Sequence, residues 1–171
     1  MVASLVSCVL LACGGGDDGD GSETEPSCAI GATLTGDVER RISGDEDSAA
    51  CLVSQSFDSG LFASFAPDFS GLSMAIDIAN VTEGQTGAGF PTEIEVTRED
   101  ERRYSTSMSG CSSTITEHEL EGTQMSDIGE QRDYRLVGTA TCTEPALPDD
   151  GGSGQVSIAD VVFVFTAFWG D

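Results

Sequence analysis

The chain has 171 residues and a formal net charge of −23, because 30 Asp and Glu residues outnumber 7 basic ones. A field of this sign repels nucleic acid and anionic lipid head groups, so a nucleic-acid partner is excluded. All seven basic residues are arginines. The lack of lysine excludes Schiff-base chemistry, a Ser-x-x-Lys nucleophile pair and a phosphate-binding loop of the P-loop type.

An apolar run opens the chain and ends in Leu10-Leu11-Ala12-Cys13. Residues 2–12 carry no charge, and they are too few to cross a bilayer as a helix, which needs about 20 residues. The run resembles the lipobox of bacterial lipoproteins. This resemblance implies that residues 1–12 are a signal peptide and that Cys13 becomes the lipidated first residue of the mature protein. The alternative is a short buried strand with Cys13 in the core.

The resemblance also implies a location in the cell envelope. Members of the family carry two or three acyl chains, palmitate among them, on this cysteine, and that number suffices for durable anchoring. Gly14 is not the aspartate associated with retention at the inner membrane, so we expect the outer membrane.

Residues 13–27 follow as the lipidated cysteine and an acidic tether. Residues 14–27 consist of glycine, acidic and hydroxyl residues with one proline, so they offer no apolar side chain to bury. We expect this segment to be disordered. Fourteen flexible residues have a root-mean-square span of about 20 Å, which holds a domain just clear of a membrane surface.

Residues 28–171 are predicted to form one β domain. Ile94, Val96 and Arg98 alternate with polar residues, as in a strand with one face in water. Glycine-rich turns such as Gly87-Ala88-Gly89 punctuate the pattern, and residues 45–53 fit a short helix. About eight or nine short strands predict an antiparallel β-sandwich or small barrel. Strands are predicted over residues 72–81, 104–109, 113–121, 134–142 and 156–169.

Four cysteines remain for the β domain once Cys8 is cleaved and Cys13 is lipidated. An even number in an exported chain predicts two disulfides, with three possible connectivities. We favour Cys28–Cys51 and Cys111–Cys142, because each pair closes a short loop between neighbouring predicted strands. Zinc is a poor alternative, since the chain has no Cys-x-x-Cys pair and a single histidine.

The last predicted strand, residues 156–169, is apolar on both faces over its second half. It fits a central strand covered on both sides. Alternatively, the face bearing Phe163, Phe165 and Trp169 forms a groove or a partner surface.

A second aromatic group raises the same question. Four phenylalanines lie between positions 57 and 69, interrupted by Gly60 and Pro67. They fill the core or form a binding loop, and they are Phe57, Phe62, Phe65 and Phe69.

No motif in the chain specifies a catalytic site. His118 is the only histidine, and a regular strand places it on the same face as Thr116 and Leu120. The sequence has no Gly-x-Ser-x-Gly elbow, so we expect His118 to be a satisfied or surface residue. Acidic clusters at residues 45–47, 99–101 and 149–150 suit a divalent cation, but the glycine-rich stretch at 16–27 does not fit an EF-hand. No cofactor is indicated.

These features together predict a lipid-anchored, non-enzymatic protein of the cell envelope that binds another envelope component. One alternative is a lipoprotein that binds a small molecule or a divalent cation such as calcium. A second alternative is a hydrolase with a pair of catalytic carboxylates, because thirty acidic residues permit many pairs and specify none.

Overall fold

The protein is an antiparallel β-sheet protein. The computed structural model describes residues 28–44, 49–55, 60–67, 71–126 and 129–170. Residues 1–27, over which the sequence predicts a signal peptide, a lipidated Cys13 and a tether, therefore lie outside the described residues. The strands in chain order are β1 (Ala29–Gly36), β2 (Arg40–Gly44), β3 (Ala49–Gln55), β4 (Gly60–Pro67), β5 (Ser73–Ala79), β6 (Gly87–Thr97), β7 (Arg103–Ser105), β8 (Cys111–Ser126), β9 (Gly129–Cys142), β10 (Leu147–Pro148) and β11 (Val156–Gly170).

Nine of these strands form one continuous hydrogen-bonded path in the order β2-β1-β11-β9-β8-β6-β5-β4-β3. The two short strands, β7 and β10, pair with each other, and β7 also pairs with β6. The sheet curls into a half-barrel, so that the Cα atoms of β3 and β11 come within 8 Å of each other. The all-β prediction is confirmed, in the form of one curled sheet.

The concave face of the sheet is the hydrophobic core. Alternate residues of each strand point inward, which produces regular burial patterns such as that of β5, where Met74, Ile76 and Ile78 are buried. Strands from opposite ends of the path meet across this core, where the rings of Phe65 in β4 and Phe165 in β11 pack edge to face at 6.2 Å.

Bulges change which residues point inward. In β8 the pairing register shifts between Ile115 and Glu117, so Thr116 is an extra residue. Ile115 and His118 are both buried although they are three positions apart. A regular strand would place His118 on the same face as Thr116, as the sequence pattern suggested. That expectation was wrong because the bulge inverts the alternation.

The predicted Cys111–Cys142 disulfide is confirmed. The two cysteines are direct cross-strand partners at the open end of the β8–β9 hairpin, and their sulfur atoms are bonded. Cys28, directly before β1, is also disulfide-bonded. The predicted partner, Cys51, lies outside the described side chains.

Two local predictions were wrong. Residues 49–53, which fitted a short helix, belong to strand β3, which pairs along β4. The Gly87-Ala88-Gly89 turn is instead the bulged start of β6, where positive φ values at both glycines shift its register against β8. Tertiary pairing overrode local propensity at both places.

The predicted partner surface on the last strand was wrong for two of its three residues. Phe163 and Phe165 are 1% and 0% exposed, and they point into the core with the other inward residues of β11. Gly138 is the cross-strand partner of Phe163. A Cβ atom at Gly138 would lie 2.6 Å from the ring of Phe163, so the ring occupies the space that a side chain there would need. Trp169 is partly buried and packs against the edge of the core. Phe65 is core as well, whereas Phe57 and Phe69 lie outside the described residues.

Two carboxylates oppose each other on the outer face of the sheet. Asp77 in β5 and Glu93 in β6 are direct cross-strand partners. Burial raises the pKa of Asp77 above its ordinary value. Burial also raises the pKa of Glu93, and the negative charges of Asp77, Asp149 and Glu95 raise it further. Like charges placed opposite each other in a sheet are destabilising.

We expect Asp77→Asn to raise the free energy of unfolding at pH 7 by about 0.5 kcal/mol, because it removes one of two opposed charges. The folded pKa of Asp77 is raised, so the free energy of unfolding of the wild type falls as pH rises from about 4 through that folded pKa. The gain of the variant should therefore vanish below about pH 4.

Urea unfolding at pH 3 and pH 7 measures this effect. Glu121→Gln, which removes an exposed carboxylate of β8, is the control for the reduction in net charge. The double variant Asp77→Asn/Glu93→Gln should gain less than the sum of its parts. Additive gains, or an equal gain in Glu121→Gln, would show that the pair is not coupled.

Candidate functional site

An open apolar surface lies on the convex face of the sheet, over β11. Val162 and Val164 point outward from this strand, whereas Phe163 and Phe165 point into the core. Val162 is 50% exposed, an unusually large fraction for an apolar residue in a central strand.

A groove of about 470 Å³ surrounds these two valines. We call it the outer groove. All of its lining residues are uncharged, in a protein with a net charge of −23. They come from β2, β1, β11, β9 and β8, and they are Ala29, Ile30, Gly31, Ser43, Thr116, Val137, Gly138, Thr139, Val162, Phe163 and Val164.

Strand pairing arranges the outer groove in two rows across the sheet. Gly31, Val162 and Thr139 are successive register partners in one row. Ala29, Val164 and Val137 form the second row in the same way. The groove therefore runs across the strands, and the four spacings from β2 to β8 give it a length of about 19 Å.

Small residues make the outer groove concave. A Cβ atom at Gly31 would lie 2.8 Å from the Cγ2 atom of Val162, so a side chain at this position would fill the space beside that valine. The φ angle of Gly31 is not positive, so the backbone conformation does not require glycine here. Glycine is required because a side chain would collide with Val162. Charged side chains border the groove: Arg135, two residues along β9 from Val137, forms an ion pair with Glu117.

A second group of side chains, the His118 cluster, lies at the other side of the sheet where β11 ends. The indole Nε1–H of Trp169 donates to Nε2 of His118 at 3.2 Å. The other ring nitrogen, Nδ1, lies 3.0 Å from the carbonyl oxygen of Gln85, which only accepts hydrogen bonds. His118 is therefore neutral, with its proton on Nδ1, and burial lowers its pKa below the ordinary value.

An ion pair joins the loop between β5 and β6 to the same cluster. Arg132 in β9 binds Glu83 through two nitrogen atoms, the second at 3.1 Å, and the hydroxyl of Tyr134 donates to Glu83 at 2.8 Å. The hydrogen bond from Arg132 lowers the pKa of Glu83. The hydrogen bond to Glu83 raises the pKa of Tyr134, whose ring packs edge-on against His118.

The His118 cluster is suited to holding a loop rather than to proton transfer. Both imidazole nitrogens are occupied by fixed partners, so no ring nitrogen is available as a general base. The expectation of a satisfied histidine is confirmed. Arg132 and Tyr134 both bind Glu83, and they thereby hold the loop that carries Glu83 against β9.

The acidic clusters at residues 99–101 and 149–150 approach each other around Arg102. The guanidinium of Arg102 contacts Asp150 and Asp37 at 3.8 and 3.9 Å and lies over the ring of Tyr104. In the described part of the chain no three His, Cys, Asp or Glu side chains are grouped closely enough to hold a metal ion. The acidic stretch at 45–47 lies outside the described residues.

The outer groove lies on the strand that the sequence marks as apolar on both faces, but its two valines point away from the core. Phe163 and Phe165 are core residues, and the outward side chains of this strand in the groove are those of Val162 and Val164. The available signal was the lack of polar residues at these positions, because an ordinary outward face carries polar side chains. Gly31 and Ala29 could not be found, since their nearness to β11 arises from long-range pairing.

Comparison with known proteins identifies no relative: no family model, no curated protein and no solved structure matches the chain. No helix in the described residues is long and apolar enough to cross a membrane.

We expect the single histidine to show a pKa below its ordinary value of about 6.5 in an NMR titration, with the proton of the neutral ring on Nδ1. Since the unfolded chain binds this proton more readily, the free energy of unfolding should fall as pH drops below about 6.5 and level off below the folded pKa.

Trp169→Phe tests the geometric cause of this behaviour. Loss of the indole donor frees Nε2 to accept a proton, so the pKa of His118 should rise toward its ordinary value. Tyr134→Phe keeps the ring against His118 and is the matched control for aromatic packing. A pKa at or above 6.5 in the wild type, or an unchanged pKa in Trp169→Phe, would contradict this assignment.

Proposed function

We propose that the protein is a lipid-anchored, non-enzymatic module of the cell envelope that binds an apolar part of another envelope component through the outer groove. The observation that carries the proposal is the uncharged lining of this groove on the exposed face of β11. Thirty-seven of the 171 residues are charged, so an uncharged depression that crosses five strands is unusual on this surface.

The physical argument is one of solvation. Apolar surface in water costs about 25 cal/mol for each Å², so an open groove lined by valine, alanine and glycine favours an occupant that covers it. A charged ligand would lose hydration there and find no opposite charge in the lining. The occupant is therefore expected to present an apolar group.

The lipid anchor is the second part of the proposal. The apolar run that ends in Leu10-Leu11-Ala12-Cys13 supports cleavage before Cys13 and acylation of that cysteine. Gly14 supports the outer membrane as the location. The acidic tether then carries a negatively charged domain away from anionic head groups, which leaves the convex face accessible.

We expect Cys13→Ser to move the protein from the membrane fraction to the soluble fraction, because it removes the acylation site. Cys8→Ser, which changes a cysteine inside the proposed signal peptide, should leave the protein in membranes. Intact mass spectrometry of the membrane-extracted wild type should give a chain that begins at Cys13 and carries added acyl mass. A chain that begins at Met1 without acyl mass would overturn the anchor.

A second experiment tests the groove. Affinity purification from gently solubilised membranes should recover one stoichiometric envelope component with the wild type. Val162→Glu places a charge in the groove and should reduce that recovery at least tenfold, since the charge must be desolvated on binding. Leu147→Glu is the matched control, because Leu147 is 56% exposed and lies outside the groove.

Equal recovery with both variants would exclude the groove as the binding surface. Circular dichroism of each variant shows whether the sheet is retained.

A further inference from the structure

The outer groove lies where the described chain begins. Ala29 is the first residue of β1 and lines the groove, and the disulfide of Cys28 holds the chain in place directly before it. The segment that would carry the lipid therefore enters the domain beside the uncharged outer groove. Residues 1–27 precede Cys28, and Cys13 lies fifteen positions before it.

We propose that the outer groove is the docking site for one acyl chain carried on Cys13 of the same molecule, occupied when the anchor is outside a bilayer. This inference rests on the proposed function, because it requires acylation at Cys13. It adds a regulatory consequence: a partner gains access to the groove only after the anchor has entered the membrane.

Reach and size agree with this occupant. A flexible tether of 14 residues spans about 20 Å, so a chain on Cys13 can return to a groove that Ala29 lines. The groove is about 19 Å long across its strands. An acyl chain in one leaflet of a bilayer extends over about 15 Å, half of the hydrocarbon thickness.

Charge also agrees with this occupant. An acyl chain linked to cysteine as an amide or ester carries no carboxylate, so it does not meet the repulsion that a free fatty acid meets near a protein of charge −23. The lining offers Val162, Val164 and Val137 as apolar contacts and Gly31 as open space. Each methylene removed from water lowers the free energy, which favours a covered chain over an exposed one in an aqueous compartment.

The test is a photo-cross-link on the acylated full chain. Benzoylphenylalanine replaces Val162 in one variant and Thr139, on the same row of the groove, in a second variant, in case the first fails to fold. The matched control carries the probe at Leu147. Acylated protein purified from membranes is transferred to detergent-free buffer, irradiated, digested and analysed by mass spectrometry, with and without vesicles of phosphatidylethanolamine and phosphatidylglycerol.

We expect a product in which the probe peptide is bonded to the acyl chain of the peptide that begins at Cys13. Its yield should fall at least fivefold with vesicles, and the Leu147 probe should not form it. A mixture of unlabelled and ¹⁵N-labelled protein should give only products within one molecule.

Products between labelled and unlabelled chains would overturn the inference in favour of a second copy. Acylated protein that shows no cross-link to its own anchor would overturn the inference but leave the anchor and the partner experiment intact. Protein without acyl mass would instead reject the anchor of the proposed function itself.

Discussion

A single sheet that must bury its own inner face is the constraint on which the structure depends. The domain has no helix and no second sheet among its described residues, so the core is closed by curvature alone. Phe65 and Phe165 come from distant strands and meet at 6.2 Å, and such large rings are needed to fill the space between opposite walls. The bulges in β8 and β11 supply the bending and decide which side chains enter that space.

The same bending explains why the two faces of β11 differ in use. Its inward residues complete the core, whereas its outward valines lie beside small neighbours from β1 and β9 that leave them open. No element of the described chain covers this part of the convex face. A strand that is central in the sheet therefore presents an apolar surface to its surroundings, and this combination supports a binding role more directly than any polar cluster does.

Polar interactions in this protein mostly tie loops to the sheet. Arg132 and Tyr134 hold Glu83, and Arg102 lies between Asp37 and Asp150, so several of the seven arginines neutralise carboxylates at the ends of the half-barrel. Seven arginines cannot balance thirty acidic residues, so the protein keeps a net charge of −23. This composition places like charges opposite each other in the sheet, as at Asp77 and Glu93, whose pKa values are both raised.

The sequence by itself determined the β class and the Cys111–Cys142 disulfide, because alternation, turn residues and short loops are local properties. Only the tertiary structure decided which face of β11 is exposed, that residues 49–53 form a strand, and that His118 points inward. These features depend on bulges and on pairing between strands far apart in the chain, such as β1 with β11. A bulge of one residue reverses the face of every side chain that follows it. No local sequence pattern predicts the bulge at Thr116 in β8 or the one near Asp160 in β11.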